Sequence, residues 1–137
     1  MQLSPAIRDL YVRMCQAVAN GDIALIERLT SRQAGALAIG TDPNEWWVGY
    51  DRIVQVWKAQ IEAMGGGMPI IVGDPQAYQE GTVGWVADQP KFALPSGEVP
   101  FRMTCVCHQE DGEWKIVQAH ASIGVPNEEM TDTELPI

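Results

Sequence analysis

The sequence predicts an α+β fold, because helical patterns fill its first half and strand patterns fill its second. Up to Met64, three stretches repeat their apolar residues at the spacing of an amphipathic helix, and beyond it short alternating stretches are separated by turn residues. The last predicted strand covers residues 113–122 and follows an Asp111-Gly112 turn. A chain of 137 residues has the usual size of one domain.

The first helix is predicted over residues 5–19. Ser4 suits the N-cap and Pro5 suits the first helical position, and apolar residues follow at helical spacing. Gly21 suits the left-handed position after this helix, and Asp22 can cap the next one. Two helices are therefore expected to meet at a tight corner around Gly21.

A third helix is predicted after a short strand and a loop. Residues 34–39 form an apolar run that indicates a strand, and residues 41–44, Thr-Asp-Pro-Asn, have the composition of a loop. From residue 50 to residue 64, apolar side chains fall on one helical face, and the glycines at 65–67 end the helix. This helix carries the longest apolar stripe of the three.

The rest of the domain is predicted to consist of strands joined by turns. The expected strands cover residues 68–72, 76–80, 82–87, 99–109 and 113–123. We assign residues 1–125 to a single domain. Residues 126–137 are acidic and poor in apolar side chains, so we expect a loosely ordered tail there.

The charge and hydropathy of the chain argue against several classes of partner. The formal net charge is −9 and the nine basic residues are scattered, whereas nucleic acid is bound by clustered Lys and Arg. The apolar runs are far too short to cross a bilayer, so no membrane association is expected. No leader pattern precedes the first helix, and we therefore expect a cytoplasmic protein.

The three cysteines are expected to be reduced thiols in the core. Cys105 and Cys107 alternate along one strand about 7 Å apart, which is too far for a relaxed disulfide, and Cys15 makes the number odd. A metal site would need more ligands than two cysteines and a distant histidine supply. We expect neither a metal nor a cofactor.

Several features, taken in order, resemble the SnoaL-like branch of the nuclear-transport-factor-two-like superfamily. They are the three leading helices, the Gly21-Asp22 corner, a Trp-Trp-Val-Gly-Tyr entry to the third helix, and a closing hairpin that ends in Trp-Lys-Ile-Val-Gln-Ala-His-Ala-Ser. The resemblance covers residues 7–125. It implies a cystatin-like cone, in which a strongly bent antiparallel sheet wraps around three N-terminal helices, encloses an apolar pocket and pairs with a second copy as a homodimer.

The resemblance alone implies no particular activity, because this fold carries isomerases, cyclases, dehydratases and hydrolases as well as association domains. The related ketosteroid isomerases use a carboxylate base, a phenol on the first helix and a protonated carboxylic acid on the penultimate strand. In this chain Met14 falls at the phenol and Thr104 at the acid, while Gly40 falls near the base, with Asp42 the nearest carboxylate. These residues argue against a ketosteroid isomerase.

The register of the closing hairpin decides which side chains of the last strand face the pocket. A two-residue type I′ loop at residues 111–112 would pair Thr104 with Ala119. A three-residue loop with a glycine bulge would instead place His120 beside Thr104. We favour the second, because it separates apolar from polar side chains. The apolar face toward the helices then carries Phe101, Met103, Cys105, Cys107, Val117, Ala119 and Ala121.

Aromatic and polar side chains around the predicted pocket are the candidate site residues. Those expected to contact a ligand are Trp47, Trp57, Trp85, Arg102, Met103, Cys105 and His120. His120 and Asp42 are the candidate bases if the chain is an enzyme. A structural role is also open for each: the histidine can lie at a dimer face, and Asp42 and Asp88 stand at loop edges where solvated carboxylates are expected.

Three functions are open from the sequence. We expect a homodimer that binds a small apolar or mixed ligand in its pocket. An enzyme of isomerase, cyclase or lyase type is the alternative, and it requires His120 or Asp42 to reach an enclosed cavity. A non-catalytic association module is the third, and it would be favoured if no cavity of about 300 Å³ or more existed.

Overall fold

The computed structural model describes residues 1–137 as four helices and ten strands. The helices are α1 (Pro5–Asn20), α2 (Ile23–Leu29), α3 (Tyr50–Ala63) and α4 (Asn127–Thr131). The strands are β1 (Gln2–Leu3), β2 (Leu37–Ile39), β3 (Trp46–Val48), β4 (Ile70–Ile71), β5 (Gln76–Glu80), β6 (Val83–Asp88), β7 (Lys91–Leu94), β8 (Gly97–Pro100), β9 (Arg102–Glu110) and β10 (Glu113–Ser122). A bent sheet packs against α1–α3, and the predicted α+β class is confirmed.

The corner between α1 and α2 is capped as the sequence predicts. Ser4 Oγ accepts a hydrogen bond from the Ile7 N–H at 3.3 Å at the start of α1. Gly21 follows α1 with a φ of 66°, a left-handed conformation that glycine adopts without steric cost. Asp22 Oδ1 then accepts the Leu25 N–H at 3.1 Å and caps α2. The two helices meet at the predicted corner.

Seven strands form the main sheet, in the order β1-β5-β6-β9-β10-β2-β3. Neighbouring strands are antiparallel except β10 and β2, which are parallel. A second sheet contains β4, β7 and β8, so the predicted strand over residues 99–109 is in fact two strands. The break falls at Phe101, which is buried and donates its N–H to the Pro90 carbonyl at 3.0 Å. The break lets the chain pass from one sheet to the other.

The sequence did not predict strand β3. Trp46–Val48 pairs with β2, and its side chains alternate: Trp47 is buried at 7% exposure, whereas Trp46 and Val48 are more than half exposed. Three alternating residues are too few to separate a strand from the entry to a helix. The consequence is that Trp47 points to the interior and Trp46 to the outer face of the sheet.

A bulge sets the register of the closing hairpin. The turn is the two-residue alternative, since Glu110 pairs with Glu113 and both Asp111 and Gly112 have positive φ, so the favoured three-residue turn is wrong. The register then shifts between Ile116 and Gln118. His120 therefore pairs with Thr104, as favoured, but through a bulge inside the strand rather than a longer turn.

The core consists of three groups of buried side chains. One lies between α1, α2 and the sheet, one between α1, α2 and α3, and one between β2, β3 and α3. Because of the bulge, the buried residue of β10 is Ile116, while Val117, predicted to face the helices, is only partly buried. The remaining space between helices and sheet is not filled by side chains.

Candidate functional site

An apolar cavity of about 490 Å³ lies between α1, α3 and the concave side of both sheets. Of its 22 lining residues, 18 are hydrophobic. They are Tyr11, Cys15, Ala38, Ile39, Trp47, Trp57, Ala63, Met64, Met68, Ile70, Phe92, Leu94, Val99, Phe101, Met103, Ala119, Ala121 and Ile123. The exposed lining residues Thr41, Ala63, Met64 and Ile123 mark the side that opens to solvent.

Aromatic rings form much of the cavity wall. Trp47 and Trp57 meet edge to face, with ring centroids 6.5 Å apart and an interplanar angle of 69°. Phe92 and Phe101 are stacked, with centroids 4.0 Å apart. The first pair comes from β3 and α3 and the second from the smaller sheet and its junction, so rings line the cavity from two sides.

A buried hydrogen bond holds one polar group of the cavity in place. Tyr11, on α1, donates its hydroxyl proton to Asp88 Oδ2 at 2.9 Å. The same oxygen accepts the Gly73 N–H at 3.0 Å, and Asp88 Oδ1 accepts the Gln89 N–H at 2.8 Å. Asp88 is only 6% exposed, so its interpretation as a solvated carboxylate is wrong. With its proton committed to Asp88, the Tyr11 oxygen can only accept a hydrogen bond from a ligand.

Burial raises the pKa of two groups at this end of the cavity, the Tyr11 hydroxyl and the Cys15 thiol. Desolvation, and then the neighbouring Cys15 and Asp88, raise the pKa of the Tyr11 hydroxyl well above its ordinary value of 10.0. Desolvation raises the pKa of the Cys15 thiol to about 11. At neutral pH both groups are uncharged.

A single carboxylate belongs to the cavity lining, and it is Glu45. Its Oε2 accepts the side-chain N–H of Gln60 at 2.8 Å, and its Oε1 accepts the backbone N–H of Asp42 at 2.9 Å. Gly40 makes room for it, since a Cβ at Gly40 would stand 2.6 Å from the carboxyl carbon of Glu45. These contacts fix the carboxylate near Gly40 and Thr41 of the cavity wall.

The cavity contains three of the residues predicted to contact a ligand. Trp47, Trp57 and Met103 line it, and they come from β3, α3 and β9. Ala119 and Ala121, predicted on the apolar face of the last strand, line it as well.

The other predicted ligand contacts lie outside the cavity. Cys105 is buried in the core at 2% exposure, under helix α1. Trp85 stacks on Tyr78, Arg102 Nε donates to Ser122 Oγ at 3.2 Å, and His120 is exposed beside Thr104. The last three alternate with the inward-facing residues of their strands, so their side chains stand on the outer face of the sheet.

The second candidate base also lies outside the cavity. Asp42 is exposed, and its Oδ1 accepts the backbone N–H of Asn44 at 2.8 Å within the loop. This is a local turn contact that Asp residues commonly make. Neither His120 nor Asp42 lines the cavity.

Sequence reasoning missed the polar residues of the cavity. Tyr11 lies among the apolar residues of α1, one turn before Met14, which packs partly buried in the core. Glu45 lies next to a loop, and Gln60 lies on α3, three residues after Trp57. The spacing of Trp57 and Gln60 on one helical face was the signal that could have placed Gln60 in the cavity.

Two further observations concern metal ligands and membrane-spanning segments. Its His, Cys, Asp and Glu side chains nowhere gather in a group of three or more that could hold a metal ion. None of its helices has the length and apolar character needed to cross a membrane.

Comparison with known proteins agrees with this geometry. The model of the SnoaL-like domain matches residues 7–126. A nuclear-transport-factor-two-like protein of unknown function from Pseudomonas putida KT2440 is 19% identical, with a TM-score of 0.80 over 98% of this chain and 96% of that chain. No match was found among curated proteins.

Two other solved structures share the fold. An uncharacterised protein with a cystatin-like fold from Caulobacter vibrioides is 16% identical, with a TM-score of 0.74 over 93% of each chain. A putative calcium/calmodulin-dependent protein kinase type II association domain from Thiobacillus denitrificans is 14% identical, with a TM-score of 0.75 over 91% of this chain and 100% of that chain. At these identities the likeness shows the fold and not the activity.

Proposed function

The chain belongs to the family of SnoaL-like domains, within the nuclear-transport-factor-two-like superfamily, and we propose that it binds a small, largely apolar ligand in its cone. The observation that carries the proposal is the cavity of about 490 Å³. Ligand sites typically have about 300–1,000 Å³, are mainly apolar and hold a few polar groups that orient the ligand. The cavity of this chain has each of these properties.

The proposed contacts divide into an apolar wall and a few orienting groups. Trp47, Trp57 and Met103 supply apolar area on rigid elements, and aromatic side chains lose few rotors when they bind a ligand. Tyr11 and Glu45 supply hydrogen-bond acceptors that the surrounding structure holds in place. An unfilled apolar cavity lowers the stability of a fold. A cavity of this size is therefore better explained by ligand binding than by a purely structural role.

A fluorescence titration tests the proposal. N-phenyl-1-naphthylamine is neutral at pH 7 and becomes fluorescent in apolar surroundings, so it should bind saturably to the native chain. Ala121 lines the cavity, and Ala121→Phe should fill part of it and weaken binding by about tenfold or more. Ala59→Phe is the matched control, because Ala59 is exposed on α3 outside the cavity. Equal binding by both variants would contradict the proposal.

A second candidate function is an enzyme of isomerase, cyclase or lyase type. Its two predicted bases, His120 and Asp42, do not line the cavity, which weakens it. One observation favours it: the Glu45 carboxylate packs over Gly40, the position near which a base was expected. A carboxylate in such a cavity could remove a proton from carbon next to a carbonyl group.

Deuterium uptake tests this second candidate. An enolisable ketone of suitable size, 4-phenyl-2-butanone, would be incubated in D₂O with the native chain or with Glu45→Gln. An enzyme is supported if deuterium exchange at the α-carbon is faster with the native chain than with Glu45→Gln. Equal exchange rates with both proteins would contradict the enzyme. Saturable binding of the neutral probe would then support a binding function without catalysis.

We also propose that two copies of the chain pair through the outer face of the main sheet. Neighbouring strands bring one row of mainly apolar side chains to this face: Tyr78, Trp85, Val106, Gln118, Leu37 and Val48. Trp46 and His120 lie in the next row. Exposed rows of this kind mark association surfaces in soluble domains, and they suit the homodimer that the resemblance implies.

A further inference from the structure

We infer that the ligand of the cavity carries a protonated amine, and that its ammonium group binds Glu45. This inference rests on the proposed binding function and adds the chemical class of the ligand. The observation behind it is the charge inventory of the cavity. Among the lining residues Glu45 is the one acidic side chain, and none is Lys, Arg or His.

The other polar groups of the lining carry no charge at neutral pH. Thr41 and Gln60 are neutral. The pKa values of Tyr11 and Cys15 ordinarily lie above 7 and are raised further by burial, so these groups are protonated as well. Their contribution is therefore hydrogen bonding alone. A ligand with a full charge finds one partner in the cavity, and that partner is negative.

Glu45 is held in place but not neutralised. Its two hydrogen-bond donors, the Gln60 amide and the Asp42 N–H, are both uncharged. The five ion pairs of the chain do not include it. Each carboxylate oxygen keeps a free lone pair, since one carboxylate offers about four acceptor sites. The group is thus preorganised to receive a further donor with a positive charge.

Lys91 and Arg102, on the strands around the cavity, do not supply a positive charge to Glu45. Lys91 Nζ, on β7, lies 3.0 Å from Glu98 Oε2 on β8. Arg102 is exposed on the outer face, with its Nε bound to Ser122 Oγ. Neither side chain belongs to the cavity lining. A ligand carboxylate would therefore face Glu45 without any counter-charge.

The walls and the whole chain favour the same sign of ligand charge. The faces of Trp47, Trp57, Phe92 and Phe101 are aromatic, and aromatic faces attract cations. The net charge of −9 raises the local concentration of cations around the chain. The acceptor oxygen of Tyr11 suits an N–H or O–H group on the same ligand, because its own proton is committed to Asp88.

Three compounds with one skeleton test the inference by isothermal titration calorimetry at pH 7. They are 4-phenylbutylamine, 4-phenylbutanol and 4-phenylbutyrate, which present an ammonium, a hydroxyl and a carboxylate on the same apolar body. Hydrogen bonds between charged partners contribute more than neutral ones, so the amine should bind about tenfold more tightly than the alcohol. The carboxylate should bind more weakly than the alcohol.

Two variants connect this preference to Glu45. Glu45→Gln keeps the shape of the side chain but removes its charge, and the tenfold preference for the amine over the alcohol should vanish. Glu62→Gln changes the net charge equally, but Glu62 is exposed on α3 outside the cavity, so it should leave the preference intact.

The outcomes separate this inference from the binding function on which it rests. If N-phenyl-1-naphthylamine binds but 4-phenylbutyrate binds as tightly as 4-phenylbutylamine, the ammonium site is contradicted and the binding function stands. If Glu45→Gln keeps the amine preference, the site is contradicted as well. If the neutral probe and all three compounds fail to bind, the proposed function itself is contradicted.

Discussion

Tyr11 and Asp88 are 77 residues apart in the sequence, yet the hydroxyl of one donates a 2.9 Å hydrogen bond to the carboxylate of the other inside the fold. Tyr11 is 2% exposed and Asp88 is 6% exposed. The bond ties α1 to the end of β6, and Gly73 joins the same carboxylate oxygen through its N–H. It therefore holds Tyr11, a residue of the cavity wall, in place and leaves its phenol oxygen able only to accept a further hydrogen bond.

Removal of the Tyr11 hydroxyl should destabilise the chain. Tyr11→Phe leaves a buried carboxylate oxygen with one donor fewer, which should lower the free energy of unfolding by about 1–3 kcal/mol. Urea denaturation at pH 7 measures the change. Tyr78→Phe is the matched control, since it removes a hydroxyl from a half-buried ring stacked on Trp85 without contact to Asp88. Equal stability of the two variants would show that the bond contributes little.

A methyl group at Gly84 should disturb the packing of α1 on the sheet. A Cβ there would fall on Cδ1 of Ile7 and would lie 2.6 Å from the Tyr78 carbonyl oxygen. Overpacking of this kind costs about 1–3 kcal/mol, so Gly84→Ala should lower the thermal midpoint clearly. Gly124→Ala is the control, because its nearest neighbour, at 3.4 Å, is the flexible end of Arg102. An unchanged midpoint for Gly84→Ala would contradict the close approach.

Alkaline pH should destabilise the fold through its buried thiols. Burial raises the pKa of Cys15 to about 11 and that of Cys107 to about 12, from an ordinary value of 9.0. The unfolded chain therefore loses these protons at a lower pH than the folded chain. The stabilisation is fully present below pH 9 and is lost as the pH rises from 9 through the raised pKa of each thiol. Each thiol should contribute a loss of about 1.4 kcal/mol per pH unit in that window.

Urea denaturation under reducing conditions, at pH 8 and at pH 10, measures this loss. Cys15→Ala should show a shallower loss of stability than the native chain, because one of the thiols no longer titrates. A native chain that is as stable at pH 10 as at pH 8 would refute the assignment of these groups as buried and protonated.

A charge on the outer face of the sheet should prevent association. Val106 is 38% exposed in the middle of the apolar row, and Val106→Asp would place a carboxylate in the proposed contact. Light scattering after gel filtration should show a dimer for the native chain and a monomer for the variant. Met130→Asp, on the exposed helix α4, should remain dimeric. A native chain that is monomeric at micromolar concentration would overturn the proposal.

The features that the sequence predicted well depend on local chemistry. The Ser4 cap of α1, Gly21 in the left-handed region and the Asp22 cap of α2 each depend on residues close in the chain. Their order was specific enough to indicate the family. The helices and most strands follow from the same periodic patterns, because burial of one face imposes them.

The features that it missed depend on distant partners or on single-residue irregularities. Tyr11, Gly73 and Gln89 donate hydrogen bonds to Asp88 in the folded chain and allow its carboxylate to be buried. The sequence around residue 88 does not indicate these contacts. The bulge at Val117 adds one residue to β10 and so changes every pairing beyond it. Glu45 enters the cavity because Gly40 leaves space for it, a contact that sequence spacing alone does not indicate.

Methyl NMR of the six methionines tests whether a ligand enters the cone, because the positions of these residues report where it binds. Met64, Met68 and Met103 line the cavity, whereas Met1 and Met130 are 83% and 68% exposed elsewhere. On titration with N-phenyl-1-naphthylamine, we predict saturable shifts of the three cavity methyl groups and none for the two exposed ones. Shifts confined to Met1 or Met130, or no saturable shift at any cavity methyl group, would contradict a ligand-binding cone.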